Sequence, residues 1–383
     1  MSKVFIRRAS YEYRVLKPII FELLDKTAGK EIKAGWRVLL KPNLLAPARP
    51  EKAMLTHPMV VKAAAEYVIE KGARPQVSDS PAVGGFEKVI KEGGLKDALN
   101  GMEVELKEFT ESVTVETGEP FKKLEIARDA LQADLIINLP KLKTHTQMLM
   151  TLGIKNLFGC VVGMKKPEWH FRAGVDRDLF ARLIVQIYLA IRPRVTILDG
   201  VLAMEGQGPG KSGTPRELGL IMASENTAAL DHTVCKMLGI PPDEVFTNRI
   251  CDKFGLLKGE EIILDGPLPL LRDFALPRIT PLVFGPRPLH GFLRAHIVQR
   301  PAVKEDQCKS CGECWNYCPA HAITGSRKKN GKKPVFDYDK CIRCYCCLEV
   351  CPHAALFARE TLPGKFLKQA VRFKTRKSRR DPA

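Results

Sequence analysis

The chain has 383 residues, 45% of them hydrophobic and 27% charged, an ordinary globular composition with length for one large core plus a small module. Residues 1–9 carry charge but no apolar run, and the longest apolar stretch, 180–191, is broken by Arg182 and Gln186, so no signal peptide or membrane span is expected and a cytoplasmic location follows. The formal net charge of +18 leaves nucleic acid, an anionic membrane surface or an acidic protein as partner classes.

Short β-branched runs alternate with amphipathic segments from the start. Residues 3–7 read as strand, 14–26 as helix, 36–40 as strand, 57–71 as helix and 75–78 as strand. A helix over 86–100 is interrupted at Gly93-Gly94, and strands follow at 104–109, 123–126 and 135–139. Later come a helix over 178–191, strands at 195–198 and 218–222, a helix over 227–238 and a strand at 261–264. Strands separated by helical segments predict an α/β fold over 1–265 with a doubly wound, mostly parallel sheet. No repeat of solenoid period is visible.

In such a sheet ligands bind beyond the carboxyl ends of the strands. The residues that follow predicted strands are Lys41-Pro42-Asn43, Asp79-Ser80-Pro81, Pro140 through His145, and Asp199-Gly200. The segment 140–170 is the richest, with Lys141, Lys143, Lys155, Lys165, Lys166, His145 and His170, and with Gly153, Gly159 and Gly163 to admit close backbone approach. That collection suits an anion, carboxylate or phosphate; the rival reading is ordinary loop polarity. Lys141, Lys143, His145 and Lys155 are the expected groups for positioning or protonating a substrate. Lys41, Asn43, Asp79, Asn156, Asp199, Gly206 and Gly208 are expected to line the crevice. A metal at His145 and His170 would need a further ligand such as His57 or Asp79. The run 206–213 is neither a Walker loop, since position 205 is Glu, nor a dinucleotide turn, since position 211 is Lys. It reads as a glycine-rich loop near the crevice. Glu205 and Asp231 are further acid–base candidates without an identifiable partner.

Between 266 and 303 seven prolines recur, which predicts extended, stiff chain without regular helix. Its apolar residues, among them Leu270, Phe274 and Leu282, predict a connector packed on the α/β domain. Then cysteine becomes regular: Cys308, Cys311, Cys314 and Cys318 before Pro319, and Cys341, Cys344, Cys347 and Cys351 before Pro352. This is C-x2-C-x2-C-x3-C-P written twice. Soft thiolates at two-residue gaps suit the corners of a 4Fe-4S cube, whereas zinc ribbons use paired C-x2-C and disulfide frameworks belong to small secreted domains. Segment 304–358 resembles the bacterial two-cluster ferredoxin module, a small α+β domain. In that module the fourth cysteine of each motif ligates the other cluster. The resemblance therefore implies one cluster on Cys308, Cys311, Cys314 and Cys351, and a second on Cys341, Cys344, Cys347 and Cys318. Cys346 is left as a spare thiol. Basic residues collect in 325–334, which reads as a hairpin loop, and in the tail 359–383. They read either as solvated charge or as a docking site for an acidic redox partner protein. No RNP-like aromatic motif, zinc finger or helix-turn-helix accompanies them, so nucleic acid is not the expected partner.

The stretches 38–43, 140–163 with Thr151-Leu152-Gly153-Ile154-Lys155-Asn156-Leu157-Phe158-Gly159, and Leu198-Asp199-Gly200 through Gly206-Gln207-Gly208-Pro209 resemble the DUF362 family over residues 1–265. Members with this C-terminal module are common in anaerobic bacteria and archaea, so the resemblance implies an anaerobic, redox-linked protein without naming a reaction. Where many members read Asp-Pro before Val/Ala-Ala-x-Asp, this chain has Asn226-Thr227 before Ala228-Ala229-Leu230-Asp231. Asn preserves a helix N-cap there and loses any chemistry of the Asp. The expected function is an iron-sulfur oxidoreductase that relays single electrons through two 4Fe-4S clusters to or from an α/β domain holding an anionic small molecule. The alternative is a non-enzymatic electron carrier or maturation factor whose α/β domain docks a protein.

Overall fold

The computed structural model describes residues 1–27, 29–277, 279, 282, 287–328 and 331–364. It divides into two units, Met1–Trp169 with Arg177–Pro277, and His170–Asp176 with Arg278–Ala383.

The strands of the first unit are β1 (Ser2–Arg8), β2 (Arg37–Pro42), β3 (Arg74–Asp79), β4 (Glu105–Glu108), β5 (Ser112–Glu116), β6 (Lys123–Ala127), β7 (Leu135–Leu139), β8 (Lys141–His145), β9 (Leu149–Thr151), β10 (Val195–Gly206), β11 (Gly213–Ser224) and β12 (Ile262–Asp265). Ten of them form one sheet in the order β12-β1-β11-β10-β7-β2-β3-β4, with β8 beside β10 and β9 beside β8. β5 and β6 make a separate antiparallel pair. Within the large sheet β11 runs antiparallel to β1 and β10, and β9 to β8; the other pairings are parallel. The sheet is thus mostly parallel, as the alternation of elements predicts.

Helices cover both faces. Ile137 and Leu139 of β7 and Val195 and Ile197 of β10 share a core with Leu16, Ile20 and Leu23 of the helix Tyr13–Asp25 and Val60, Val61 and Ala64 of the helix Pro58–Glu70. Side chains alternate along a strand, so Asn138 and Thr196 face the other way. Asn138 donates to the Gly153 carbonyl at 2.9 Å, and Thr196 meets Thr227 at 2.8 Å where the helix Thr227–Leu238 begins. Every residue of β7 is buried, as befits a parallel strand covered on both sides. The 86–100 helix does split, into Phe86–Glu92 and Leu95–Ala98, with Gly94 at φ +71° turning the chain between them.

Several elements differ from expectation. The polar stretch 141–151 forms β8 and β9, because burial overrides the weak strand propensity of its lysines. The glycine-rich run 206–213 is the turn of a long β10–β11 hairpin, with Gly206 opposite Gly213. Short helices at Arg128–Gln132 and Phe246–Lys253 offer too few turns for a periodic signal.

In the second unit the stretch expected to lack helix contains one at His290–Ile297, in the proline-free gap between Pro288 and Pro301. β13 (Arg300–Val303) is followed by β14 (Ile323–Lys328), β15 (Gly331–Phe336) and β16 (Leu356–Arg359). β13 pairs antiparallel with β16, and β14 with β15, so the basic segment 325–334 is a hairpin. Residues 329–330 and the basic tail from 365 onward lie outside the described residues. Among the described residues no helix is long and apolar enough to cross a membrane.

Asn226 caps the helix Thr227–Leu238. Its Oδ1 accepts from the N–H groups of Ala228 and Ala229 at 3.1 and 3.2 Å, and its Nδ2 donates to Ser2 Oγ at 2.9 Å. Asn226→Ala is expected to lower unfolding free energy by about 1 kcal/mol, with Asn226→Asp close to wild type. Urea denaturation checks this; an unchanged midpoint for the alanine variant would show that the cap contributes nothing.

Candidate functional site

The carboxyl ends of the parallel strands carry charged side chains that are almost wholly removed from water. Asp199 stands on β10 opposite Lys141 at the start of β8. Lys141 and Asp199 are 1% and 0% exposed. The Lys141 ammonium donates to Asp199 Oδ2 at 2.8 Å and to the Tyr11 hydroxyl at 2.7 Å, while that hydroxyl donates to Asp199 Oδ1 at 2.7 Å. The His57 N–H also donates to Asp199 Oδ2, at 2.9 Å. Burial pulls the Lys141 amine below its usual range, against the opposing pull of Asp199. Burial and the Asp199 charge push the Tyr11 hydroxyl up. The His57 ring stacks on Tyr11 with centroids 3.5 Å apart, and burial lowers it to about 4, so it is a neutral imidazole near pH 7.

A second ion pair sits at the ends of β2 and β3. Lys41 Nζ lies 3.1 Å from Asp79 Oδ1 and donates to the Pro42 carbonyl at 2.7 Å. The Asp79 oxygens also accept from the N–H groups of Leu44 and Ser80, each at 2.8 Å. A chain of amides runs out from this pair. Asn156 donates to the Lys41 carbonyl and to Asn138 Oδ1, and Asn43 donates to Asn156 Oδ1. Lys143 donates to Asn43 Oδ1 at 2.7 Å and to the Met54 carbonyl at 2.8 Å. Thr56 Oγ1 accepts from the Asn43 N–H and donates to the Leu139 carbonyl, and the next residue is His57, against Asp199. Lys41, Asn43, Asp79, Lys143 and Asn156 therefore belong to one hydrogen-bonded set, which the chain from Thr56 to His57 joins to Lys141 and Asp199.

The remaining predicted residues make other contacts. His145 Nδ1 accepts from the N–H groups of Gln147 and Met148 and so holds the turn into β9. Lys155 lies over the rings of Phe158 and Phe180, at 5.4 and 5.9 Å. Gly208 packs on β8, where an added Cβ would come within 2.4 Å of the Thr144 carbonyl oxygen; Gly206 turns the hairpin at φ +74°. Glu205 accepts from the Ala275 N–H at 3.1 Å. Asp231 accepts from the N–H groups of Gly153 and Ile154, and burial raises it to about 7. His170 falls in the segment grouped with the second unit. Among the described residues no three His, Cys, Asp or Glu side chains converge to hold a single metal ion; a cubane cluster is larger than one ion and takes its thiolates at separate corners. A cavity of about 650 Å³ lies elsewhere, lined by Ser2, Lys3, Lys26, Tyr188, Arg192 and Asn226 among others. None of the predicted site residues lines it.

In the second unit the cysteines interleave. Burial pushes the Cys314 thiol up to about 12, and Cys351, Cys311 and Cys308 add to the rise. Burial likewise raises Cys347, with Cys344, Cys341, Cys314 and Cys318 as the thiols acting on it. Cys308, Cys314, Cys318, Cys347 and Cys351 share an apolar cluster with Ile323, Ala355 and Leu356. A hydrogen bond with Cys346 lowers the Cys344 thiol and raises that of Cys346. Two basic residues turn inward here. Lys333 donates to the carbonyls of Glu305 and Cys308 at 3.0 and 2.7 Å, and Arg343 to those of Tyr338 and Cys341 at 3.3 and 3.2 Å.

Residues 38–236 match the family described as a domain of unknown function, DUF362. The chain is also 38% identical over 300 residues to the thylakoid-associated protein sll1697 of Synechocystis, covering 74% of this chain and 93% of that one. The chain belongs to the DUF362 family. Its residues 307–355 match the 4Fe-4S dicluster domain, a span that takes in all eight motif cysteines. The DUF362 protein thus carries an iron-sulfur electron-transfer module at its C-terminal end. Among solved structures it resembles the lactate racemase apoprotein from Thermoanaerobacterium thermosaccharolyticum, with TM-score 0.40 and 11% identity over 60% of this chain and 55% of that one.

Removing one partner of a buried ion pair strands the other charge. Lys141→Met in this DUF362 protein is expected to cost about 3–5 kcal/mol of stability, and the Lys141→Met/Asp199→Asn double variant less than the sum of the two singles. Denaturant titration of the three variants tests the coupling; additive losses would mean that the pair does not act as one.

Proposed function

We propose that this DUF362 protein is an iron-sulfur oxidoreductase whose α/β unit holds a small organic anion at the carboxyl edge of its sheet. The observation that carries the reading is the Lys141–Asp199–Tyr11 triad, with two buried charges and a hydroxyl placed where open α/β sheets bind ligands. A structural role alone is served as well by apolar side chains of similar size.

In this reading two thiol quartets hold the clusters: Cys308, Cys311, Cys314 and Cys351, and Cys341, Cys344, Cys347 and Cys318. The neighbours of Cys314, namely Cys351, Cys311 and Cys308, support that grouping, and those of Cys347 are its three partners together with Cys314 of the other quartet. Cys308, Cys314 and Cys351 of the first group and Cys318 and Cys347 of the second sit in one apolar cluster, a surround that fits cubane donor sets. When bound, the clusters supply electrons one at a time at the potentials of all-thiolate ligation. Lys141 stores the proton that accompanies an electron, and Tyr11, beside the neutral His57 ring, passes it outward. Lys143 and Asn43 orient the substrate and the lysines attract its charge. Thiolates that must stay reduced favour a cytoplasmic, oxygen-poor setting.

The test uses full-length protein purified without oxygen and chemically reduced, with iron-sulfur absorbance followed as small carboxylates and phosphate esters are added. At least one anion is expected to speed reoxidation, and Tyr11→Phe to slow that turnover by about 100-fold at unchanged iron content. If no anion speeds reoxidation and the immobilised chain instead retains an acidic redox protein, the electron-carrier alternative replaces the enzyme.

A further inference from the structure

Lys166 lies in the first turn of the helix Lys165–Ala173, is 5% exposed, and has an amine without a hydrogen-bond partner among the described residues. Its surroundings explain why. The charged groups that act on it are Asp79, Lys41 and Glu108, with the Cys160 thiol beside them. Asp79 Oδ1 already takes Lys41 and the Ser80 N–H, and Oδ2 takes the Leu44 N–H, and neither oxygen bonds the Lys166 amine. Cys160 is fully buried, and burial pushes its thiol to about 12, which keeps it uncharged. The backbone closes tightly around the pair: a Cβ on Gly159 would stand 2.2 Å from Asp79 Oδ1 and 2.7 Å from Lys41 Nζ. The next turn is fixed by the Gly163 N–H donating to Ser80 Oγ at 2.9 Å. Two buried ammonium groups thus have one buried carboxylate, Asp79, and the half-buried Glu108 around them, and neither carboxylate bonds the Lys166 amine. A buried ammonium that no acceptor meets is costly and is relieved either by losing its proton or by gaining a hydrogen-bonding anion.

We propose that Lys166, with the Lys41–Asp79 pair behind it, is the subsite for the carboxylate end of the substrate. With Asp79 and Glu108 already near the Lys166 amine, a group of single negative charge meets less like-charge repulsion there, which favours a carboxylate over a phosphate dianion. The three N–H donors of the ammonium match the acceptor capacity of a carboxylate. This rests on the proposed function, of which it names the substrate class and the anchoring residue. Burial draws the Lys166 amine down to about 8, so the empty subsite gives up its proton above pH 8 and carboxylate affinity falls there.

Full-length protein, iron-loaded and kept without oxygen, is titrated with succinate, acetate and inorganic phosphate by calorimetry at pH 7 and pH 9. Succinate or acetate is expected to bind more tightly than phosphate, at least tenfold more weakly at pH 9, and at least tenfold more weakly to Lys166→Met, with Lys166→Arg recovering part of the loss. Because Lys166→Met replaces an unsatisfied buried charge by an apolar chain, its melting temperature without ligand is expected to equal or exceed that of wild type. Acylation of the Lys166 amine, mapped by mass spectrometry, needs no variant and is expected to be suppressed by the same carboxylates. Carboxylate binding with Lys166→Met unaffected and Lys166 unprotected overturns the subsite and leaves the proposed function standing. Tighter binding of phosphate overturns the carboxylate assignment. No binding of any of the three anions overturns the subsite, and the reoxidation assay then decides the proposed function.

Discussion

A lysine ammonium and an aspartate carboxylate removed from water lose hydration worth several kcal/mol each, and only close, well-directed partners return it. This DUF362 protein does so twice on one sheet edge, at Lys41–Asp79 and Lys141–Asp199. Much of the fold serves those two pairs. Parallel β2, β3 and β7 bring Lys41, Asp79 and the Pro140 turn to the same edge, and the β8–β10 register sets Lys141 opposite Asp199. Polar residues between the pairs, Asn43, Asn156, Asn138 and Thr56, have hydrogen bonds of their own, as a buried network requires if it is to be specific and not merely costly.

The second unit solves a related problem with opposite sign. Eight thiols crowd into one small module, and thiolates around iron bring negative charge into a low-dielectric interior. Lys333 and Arg343 place cations on the carbonyls of Cys308 and Cys341, the first cysteine of each motif. Part of the basic excess that looks like a solvated patch in the sequence is therefore turned inward.

The fold class was legible because apolar runs alternate with helical periodicity, and four of the strand ends were legible because polar residues interrupt buried strands. Tyr11 was missed although the same rule reaches it: β1 runs parallel to β10 through β11, so the residues after Arg8 lie on the same edge. Its partner Asp199 is 188 positions away, a contact that no local pattern encodes. The contact that His145 Nδ1 makes was hidden for a similar reason, since the turn that occupies it exists only once β8 and β9 pair. The lysines of β8 looked like loop because strand burial there comes from tertiary packing and not from apolar side chains. Helix His290–Ile297 was hidden by averaging prolines over a stretch in which they are unevenly spaced.

Iron and acid-labile sulfide counted in the full chain purified without oxygen, together with the electrons taken up on reductive titration, test the two-cluster redox reading most directly. About eight irons, eight sulfides and two electrons per chain are predicted for two cubane clusters. Four irons or fewer after anaerobic reconstitution, zinc in their place, or no electron uptake across an accessible range would contradict it.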